Sequence, residues 1–362
     1  MAARLPDFPW DTIAEDAALA RAHPDGEVDL SVGTPVDPVP AVVQEALRAA
    51  SDSPGYPTAL GTSEFREAAA SWLARRLGVP GVDPGTQVLP TIGSKELVAH
   101  LPLWLGIGAS DTVVVPEVAY PTYAVGALLA GARVVASDSL TALGPASPRL
   151  LWVNSPSNPT GRVLPAEHLA KVVAWARERG CVVASDECYC ELGWTARPVS
   201  ILHPSVCGDS VDGLLAVHSL SKRSNLAGYR AAFVAGDPRL LAQLLQIRRH
   251  TGLLVPTPVQ QAAAAALADD EHVAAQRARY ERRRAVLLEA LTKAGLSVEH
   301  SEAGLYLWVT RGEDGRATLR WLAERGVLVA PGDFYGATAS TYVRVALTAT
   351  DERIAAAAHR LT

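Results

Sequence analysis

Ser219-Leu220-Ser221-Lys222-Arg223-Ser224-Asn225-Leu226-Ala227-Gly228-Tyr229-Arg230 joins a lysine to hydroxyls and an arginine directly behind the apolar run Leu214-Leu215-Ala216-Val217-His218. Such a run predicts a buried strand of a parallel sheet, and open α/β folds build their sites at the carboxyl ends of such strands. Lys222 would be delivered to that end, where an amine can condense with an aldehyde as a Schiff base. Ser219, Ser221 and Arg230 supply hydroxyl donors and a bidentate fork, the groups that a phosphate dianion takes. Together they suit an aldehyde cofactor carrying a phosphate. Alone, Ser221-Lys222 reads as a solvated lysine after a strand, so the rest of the chain has to decide.

Three further stretches decide it. They are Asn154-Ser155-Pro156-Ser157-Asn158-Pro159-Thr160-Gly161, Ser185-Asp186-Glu187-Cys188-Tyr189 and Tyr342-Val343-Arg344-Val345. With intervals of 28 residues from Asn158 to Asp186, 36 to Lys222 and 8 to Arg230, the chain resembles the fold type I pyridoxal-phosphate aminotransferases. The resemblance runs from about Asp29 to the C-terminus. It implies an α/β fold, with a large cofactor-binding domain on a mostly parallel central sheet and a smaller α+β domain. The expected division is an N-terminal arm with part of the small domain over 1–45, the large domain over 46–249 and the small domain over 250–362.

Composition agrees with an enzyme of that kind. A chain of 362 residues, 49% hydrophobic and 20% charged, can bury a large core in about two domains. A net charge of −5 without a basic block argues against a nucleic-acid surface. No apolar stretch is long enough to span a membrane, and residues 1–7 lack the apolar core of a signal peptide. The expected location is therefore cytoplasmic. Cys188 and Cys190 have no second Cys/His pair at zinc-ligand spacing, so Cys181, Cys188, Cys190 and Cys207 read as reduced thiols and no metal is expected.

Apolar runs at 112–115, 133–136, 150–154, 181–185, 214–218 and 231–235 alternate with helical periodicity such as that over 166–179, which implies crossover connections. Past Pro238, 239–250 and 271–294 read as long helices, and 304–310, 327–330 and 342–347 as strands of the smaller domain.

The resemblance assigns further tasks. Asp186 would face the pyridine nitrogen and keep it protonated, its alternative being a solvated turn aspartate. Tyr189 and Asn158 would donate to the ring's phenolic oxygen. Gly93-Ser94-Lys95 opens a segment of helical spacing after the strand-like 88–92, a ready anion site for the phosphate. Tyr120 would stack on the ring, unless it is a core tyrosine. Arg344, in an apolar strand, would grip the substrate α-carboxylate; a buried ion pair with a protein carboxylate is the alternative. Gly33 would approach the same carboxylate through its backbone. Tyr56 resembles the tyrosine that crosses a dimer interface to the partner's phosphate, which implies a homodimer. The implied reaction is ping-pong transamination between amino acids and keto acids, with Lys222 carrying the proton.

Closer similarity is narrower. Asp7-Phe8-Pro9-Trp10-Asp11, the run 28–38 and the run 329–336 look like actinobacterial N-succinyldiaminopimelate aminotransferases of lysine biosynthesis. That similarity implies interconversion of succinyldiaminopimelate and 2-oxoglutarate with N-succinyl-2-amino-6-ketopimelate and glutamate. The extra carboxylates would need cations, for which Lys95, Arg162 and Arg223 are candidates. Alternatives are a glutamate–prephenate or aspartate-type transaminase, or a carbon–sulfur lyase of the same fold. A transcriptional regulator's ligand-sensing module would need a DNA-binding domain, and about 28 residues precede the first motif.

Overall fold

The computed structural model describes residues 5–361, so the first four residues of the N-terminal stretch and Thr362 fall outside the description. In chain order the strands are β1 (Val28–Asp29), β2 (Val88–Ile92), β3 (Thr112–Val115), β4 (Arg133–Ala136), β5 (Leu150–Asn154), β6 (Val182–Asp186), β7 (Leu214–Ser219), β8 (Ala231–Gly236), β9 (Ser297–Glu299), β10 (Tyr306–Thr310), β11 (Val327–Leu328), β12 (Ala330–Pro331) and β13 (Tyr342–Ala346). Seven of them form the large sheet in the order β2-β8-β7-β6-β5-β3-β4, in which only β8 runs against the others.

Both faces of this sheet are covered. Leu151 and Val153 of β5 enter one core and Leu150 and Trp152 the other, and every residue of β5, β7 and β8 is buried. That explains why these strands read as continuous apolar runs rather than as alternating ones. Helix Ser63–Leu77 is held at one end by Thr62, whose hydroxyl accepts the Phe65 N–H at 3.2 Å, and at the other by left-handed Gly78.

The second core is built on β12-β13-β10-β9. It also takes Ile13, Ala20, Val28 and Leu30 from the N-terminal segment, because β1 pairs with β11 and the Ala346 N–H donates to the Leu30 carbonyl at 2.9 Å. Helix Thr257–Ala268, expected in the small domain, packs instead with the large core. Its alanines 262, 263 and 266 are fully buried there against helices Ala41–Ala49 and Ser63–Leu77. Alanine permits that close approach, and the chain crosses to the second core only afterwards.

Candidate active site

The register that pairs Asn154 with Asp186 and Asp186 with Val217 sets the carboxyl ends of β5, β6 and β7 side by side. One residue beyond β7 begins the helical turn Leu220–Arg223, capped by Ser219, whose Oγ accepts the Ser221 N–H at 3.2 Å. That turn presents Lys222, and its Nζ donates to the Gly33 carbonyl. A cavity of about 960 Å³ is lined by Lys222 and by every other residue anticipated for the site except Gly93, Tyr56 and the two distal cations Arg162 and Arg223.

Asp186 is buried at 7% exposure, and among the described residues no cation pairs with it. Its Oδ2 accepts the Tyr123 hydroxyl at 2.8 Å and its Oδ1 the Cys188 N–H at 3.2 Å. Burial raises its pKa against those bonds. A carboxylate held only by dipoles in a buried cavity fits a cationic ring nitrogen.

The phosphate end is assembled around Gly93, which begins helix Gly93–Trp104 with φ +69°. A Cβ there would lie 2.0 Å from Arg230 Nη2, so only glycine lets the guanidinium lie across the helix start. The Gly93 N–H donates to the Arg230 carbonyl at 2.8 Å, and Arg230 Nη1 donates to the Ala227 carbonyl at 2.9 Å. Arg230 has no acidic partner among the described residues. The first-turn N–H groups of Ser94 and Lys95 have no intrahelical acceptor. Buried Arg248 holds this turn in place, donating to both oxygens of Glu96 at 2.8 and 3.1 Å. N–H groups, a guanidinium and the Ser219 and Ser221 hydroxyls together fit a phosphate dianion.

Arg344, on β13 opposite Trp308, is 3% exposed and forms no ion pair among the described residues. It donates to Asn158 Oδ1 at 2.8 Å and to the Ser31 carbonyl at 2.6 Å, lies 4.0 Å over the Tyr306 ring, and leaves Nε without a partner. The alternative of an ion pair with a protein carboxylate is therefore not realised, and a buried cation faces the cavity ready for an anion. Asn158 is held by Asn154, whose Oδ1 accepts its N–H at 2.7 Å and whose Nδ2 donates to the Asp186 carbonyl at 2.9 Å.

Two tyrosines escaped the sequence reading. Tyr123 holds Asp186 and stacks on Trp152 at 4.8 Å. Tyr306 sits 3.2 Å from the Tyr189 hydroxyl. Burial opposes ionisation of Tyr306, but Arg344 and Lys222 outweigh it and pull the hydroxyl below its ordinary range. Burial first, and then Tyr306, push Tyr189 up, so Tyr189 keeps its proton. Burial also lowers the Lys222 amine, opposed by Tyr306 and aided by Arg344. Tyr123 lies three residues beyond Tyr120 in the sequence, and that spacing is the available signal.

Two of the three anticipated distal cations are elsewhere. Arg223 is buried behind the site, paired to Glu191 and donating to the Ala266 carbonyl at 2.9 Å. Its neighbour Lys222 faces the cavity, and successive residues of a helical turn point about 100° apart. Arg162 lines a separate cleft. Lys95 is on the cavity wall, Tyr120 is half-buried on the same wall, and Tyr56 is 97% exposed. The four cysteines are free thiols, and burial raises Cys181 to about 12. No helix among the described residues is long and apolar enough to cross a membrane.

Comparison with known proteins agrees with this geometry. The chain is 63% identical over 362 residues to a "Probable aminotransferase Rv1178" of Mycobacterium tuberculosis, covering 100% of this chain and 86% of that protein. It is 59% identical over 358 residues to the 4-dedimethylamino-4-oxo-anhydrotetracycline transaminase OxyQ of Streptomyces rimosus, covering 99% of each. The solved structure of a probable N-succinyldiaminopimelate aminotransferase from Thermus thermophilus superposes with a TM-score of 0.88 at 31% identity, covering 98% of this chain and 99% of that one. Residues 25–361 match the sequence profile of the family described as Aminotransferase class I and II, and the chain belongs to that pyridoxal-phosphate-dependent family.

Proposed function

We propose that this aminotransferase exchanges an amino group between glutamate and a long keto acid bearing a distal carboxylate, with N-succinyl-2-amino-6-ketopimelate as the acceptor and lysine biosynthesis as the setting. The observation that carries the reading is the pair of cations on one large cavity. Arg344 is buried and unpaired, Lys95 has no ion-pair partner among the described residues, and both line the cavity of about 960 Å³. Pyridoxal phosphate, when bound, supplies the electron sink that makes the substrate Cα–H acidic. Lys222, its pKa lowered by burial, carries that proton. Asp186 holds a proton on the ring nitrogen, Asn158 and Tyr189 donate to the phenolic oxygen, and Tyr120 stacks. Gly93, the backbone N–H groups of Ser94 and Lys95, the hydroxyls of Ser219 and Ser221, and Arg230 take the phosphate. Arg344 orients the α-carboxylate, with Gly33 beside it. The exposed Tyr56 fits a homodimer in which it reaches the partner's phosphate, and we place the protein in the cytoplasm.

A second reading is favoured by the apolar part of the same wall, Phe8, Trp10, Val32 and Phe334. Those side chains suit a polycyclic ketone such as the one for which the Streptomyces rimosus transaminase is named. The deciding experiment is a screen of keto acceptors with glutamate as donor. The first reading expects succinyl-ketopimelate to exceed pyruvate, oxaloacetate and a polycyclic ketone in kcat/KM. Preference for the polycyclic ketone would install the second reading, and pyruvate release without any acceptor would mark a lyase.

A further inference from the structure

A second cleft, of about 320 Å³, opens at the carboxyl end of the large sheet. From β3 the chain passes to β4 on one side, then returns to place β5 on the other, so strand order reverses between β3 and β5. Diverging connections leave a crevice at such a point, and open α/β sheets bind ligands in it. The cleft is walled by Pro116 behind β3, Ser137 behind β4 and residues 151–154 of β5. Trp308 and Tyr342 of the small domain, stacked at 5.0 Å and 9°, close it from the other side.

Its chemistry differs from that of the cofactor cavity. The walls offer apolar surface from Leu151, Val153, Leu164 and Val172 beside the Tyr342 ring. Arg162 stands exposed on the rim without an ion-pair partner among the described residues, beside His168. Both rim acids are engaged: Asp138 accepts the Glu117 N–H at 3.2 Å, and Glu299 accepts the Tyr342 hydroxyl at 2.8 Å. The Trp308–Tyr342 ring pair, the apolar wall and one free guanidinium suit a planar aromatic ligand with a single carboxylate.

The wall is also shared. Asn154 lines both cavities, and it is the residue that holds Asn158 and the Asp186 carbonyl. Trp152 stacks on Tyr123, which donates to Asp186 Oδ2. We infer that this cleft is an effector site for a small planar aromatic carboxylate, whose occupancy is felt at Asp186 through Trp152–Tyr123 and Asn154.

The probe is 2-naphthoate, titrated calorimetrically into the holoenzyme with the cofactor absorbance followed in parallel. The expected result is saturable one-to-one binding, a change in the cofactor spectrum, and no displacement by maleate, which addresses Arg344. Arg162→Ala should weaken binding roughly tenfold or more, as loss of a charged hydrogen bond implies. Leu164→Trp, which fills the cleft, should abolish it. Both variants should keep the wild-type KM for glutamate. Competition with maleate, indifference to Arg162→Ala, or no binding at millimolar concentration would overturn the site, and binding that leaves the spectrum unchanged would overturn its effector role.

Discussion

Tyr123→Phe isolates one bond in the cofactor site. The variant keeps the ring that stacks on Trp152 at 4.8 Å and removes the hydroxyl that donates to Asp186 Oδ2 at 2.8 Å. Asp186 is already biased toward its protonated form by burial, and the remaining backbone donor, the Cys188 N–H, lies at 3.2 Å. A hydrogen bond to a charged group contributes about 1.5–3 kcal/mol, and 1.4 kcal/mol is about tenfold in an equilibrium constant. Binding a cationic ring nitrogen requires the carboxylate, so the apoprotein should bind pyridoxal phosphate roughly 10- to 150-fold more weakly in the variant. The loss should be largest in acid, where the variant must surrender a proton to bind, and should shrink as pH rises. Absorbance titration of apoprotein between mildly acidic and alkaline pH measures this directly. A loss of equal size at every pH would mean that packing was damaged rather than charge. Unchanged affinity in acid would refute the role given to Tyr123.

Glu187 and His218 approach at 3.4 Å in the core, yet burial pushes Glu187 up to about 7 and His218 down to about 3, so the imidazole stays uncharged and the contact is not an ion pair. A raised carboxyl pKa contributes stability that is complete below its unfolded value of 4.5 and is lost as pH rises through about 7. Glu187→Gln can still accept the Ile201 N–H and should be more stable than wild type at pH above 8, by up to about 3 kcal/mol, and equal to it near pH 4, measured by urea unfolding. Gly33→Ala would set a Cβ 2.2 Å from the Tyr306 hydroxyl; glutamate half-reaction rates should fall at least tenfold while cofactor binding holds, and wild-type rates would remove Gly33 from the substrate side. Mixing Tyr56→Phe with Lys222→Ala subunits should restore activity, because a hybrid dimer then has one site with both groups; no restoration would place Tyr56 outside the partner's site.

Where the chain announces chemistry by irregular polarity, it was legible. Lys222 and Asp186 stand at the ends of buried strands, and Arg344 stands inside one, so each is costly there without a partner and each invites a functional reading. Tyr123 and Tyr306 carry no such mark, since a tyrosine in an apolar segment costs nothing as core and only the three-dimensional neighbour reveals its hydroxyl at work. Arg223 shows the opposite error: adjacency to Lys222 suggested the site, but the helical turn aims it at Glu191. The alanine face of helix Thr257–Ala268 is compatible with either core and left the domain boundary to packing. The reversal of β8 was hidden for the same reason, because a strand buried on both faces has the same pattern in either direction.

Asp186 and Arg344 also explain why fold and cofactor should be coupled in this protein. Each is a buried charge of opposite sign, and in the chain alone each is met only by dipoles and ring faces. They cannot neutralise one another, since each is fixed on a different sheet, Asp186 on β6 and Arg344 on β13. A protein carboxylate beside Arg344 would relieve its burial but would occupy the place an α-carboxylate needs. The same holds for a protein cation beside Asp186. Leaving both unpaired keeps the cavity chemically directional, cation-seeking at one end and anion-seeking at the other, at a cost in stability that a bound cofactor offsets at Asp186 and a bound substrate at Arg344. Lys222 lines the same cavity with its amine destabilised as a cation by the same burial, so the environment that leaves Asp186 and Arg344 hungry for ligand also favours the neutral amine that can take a proton.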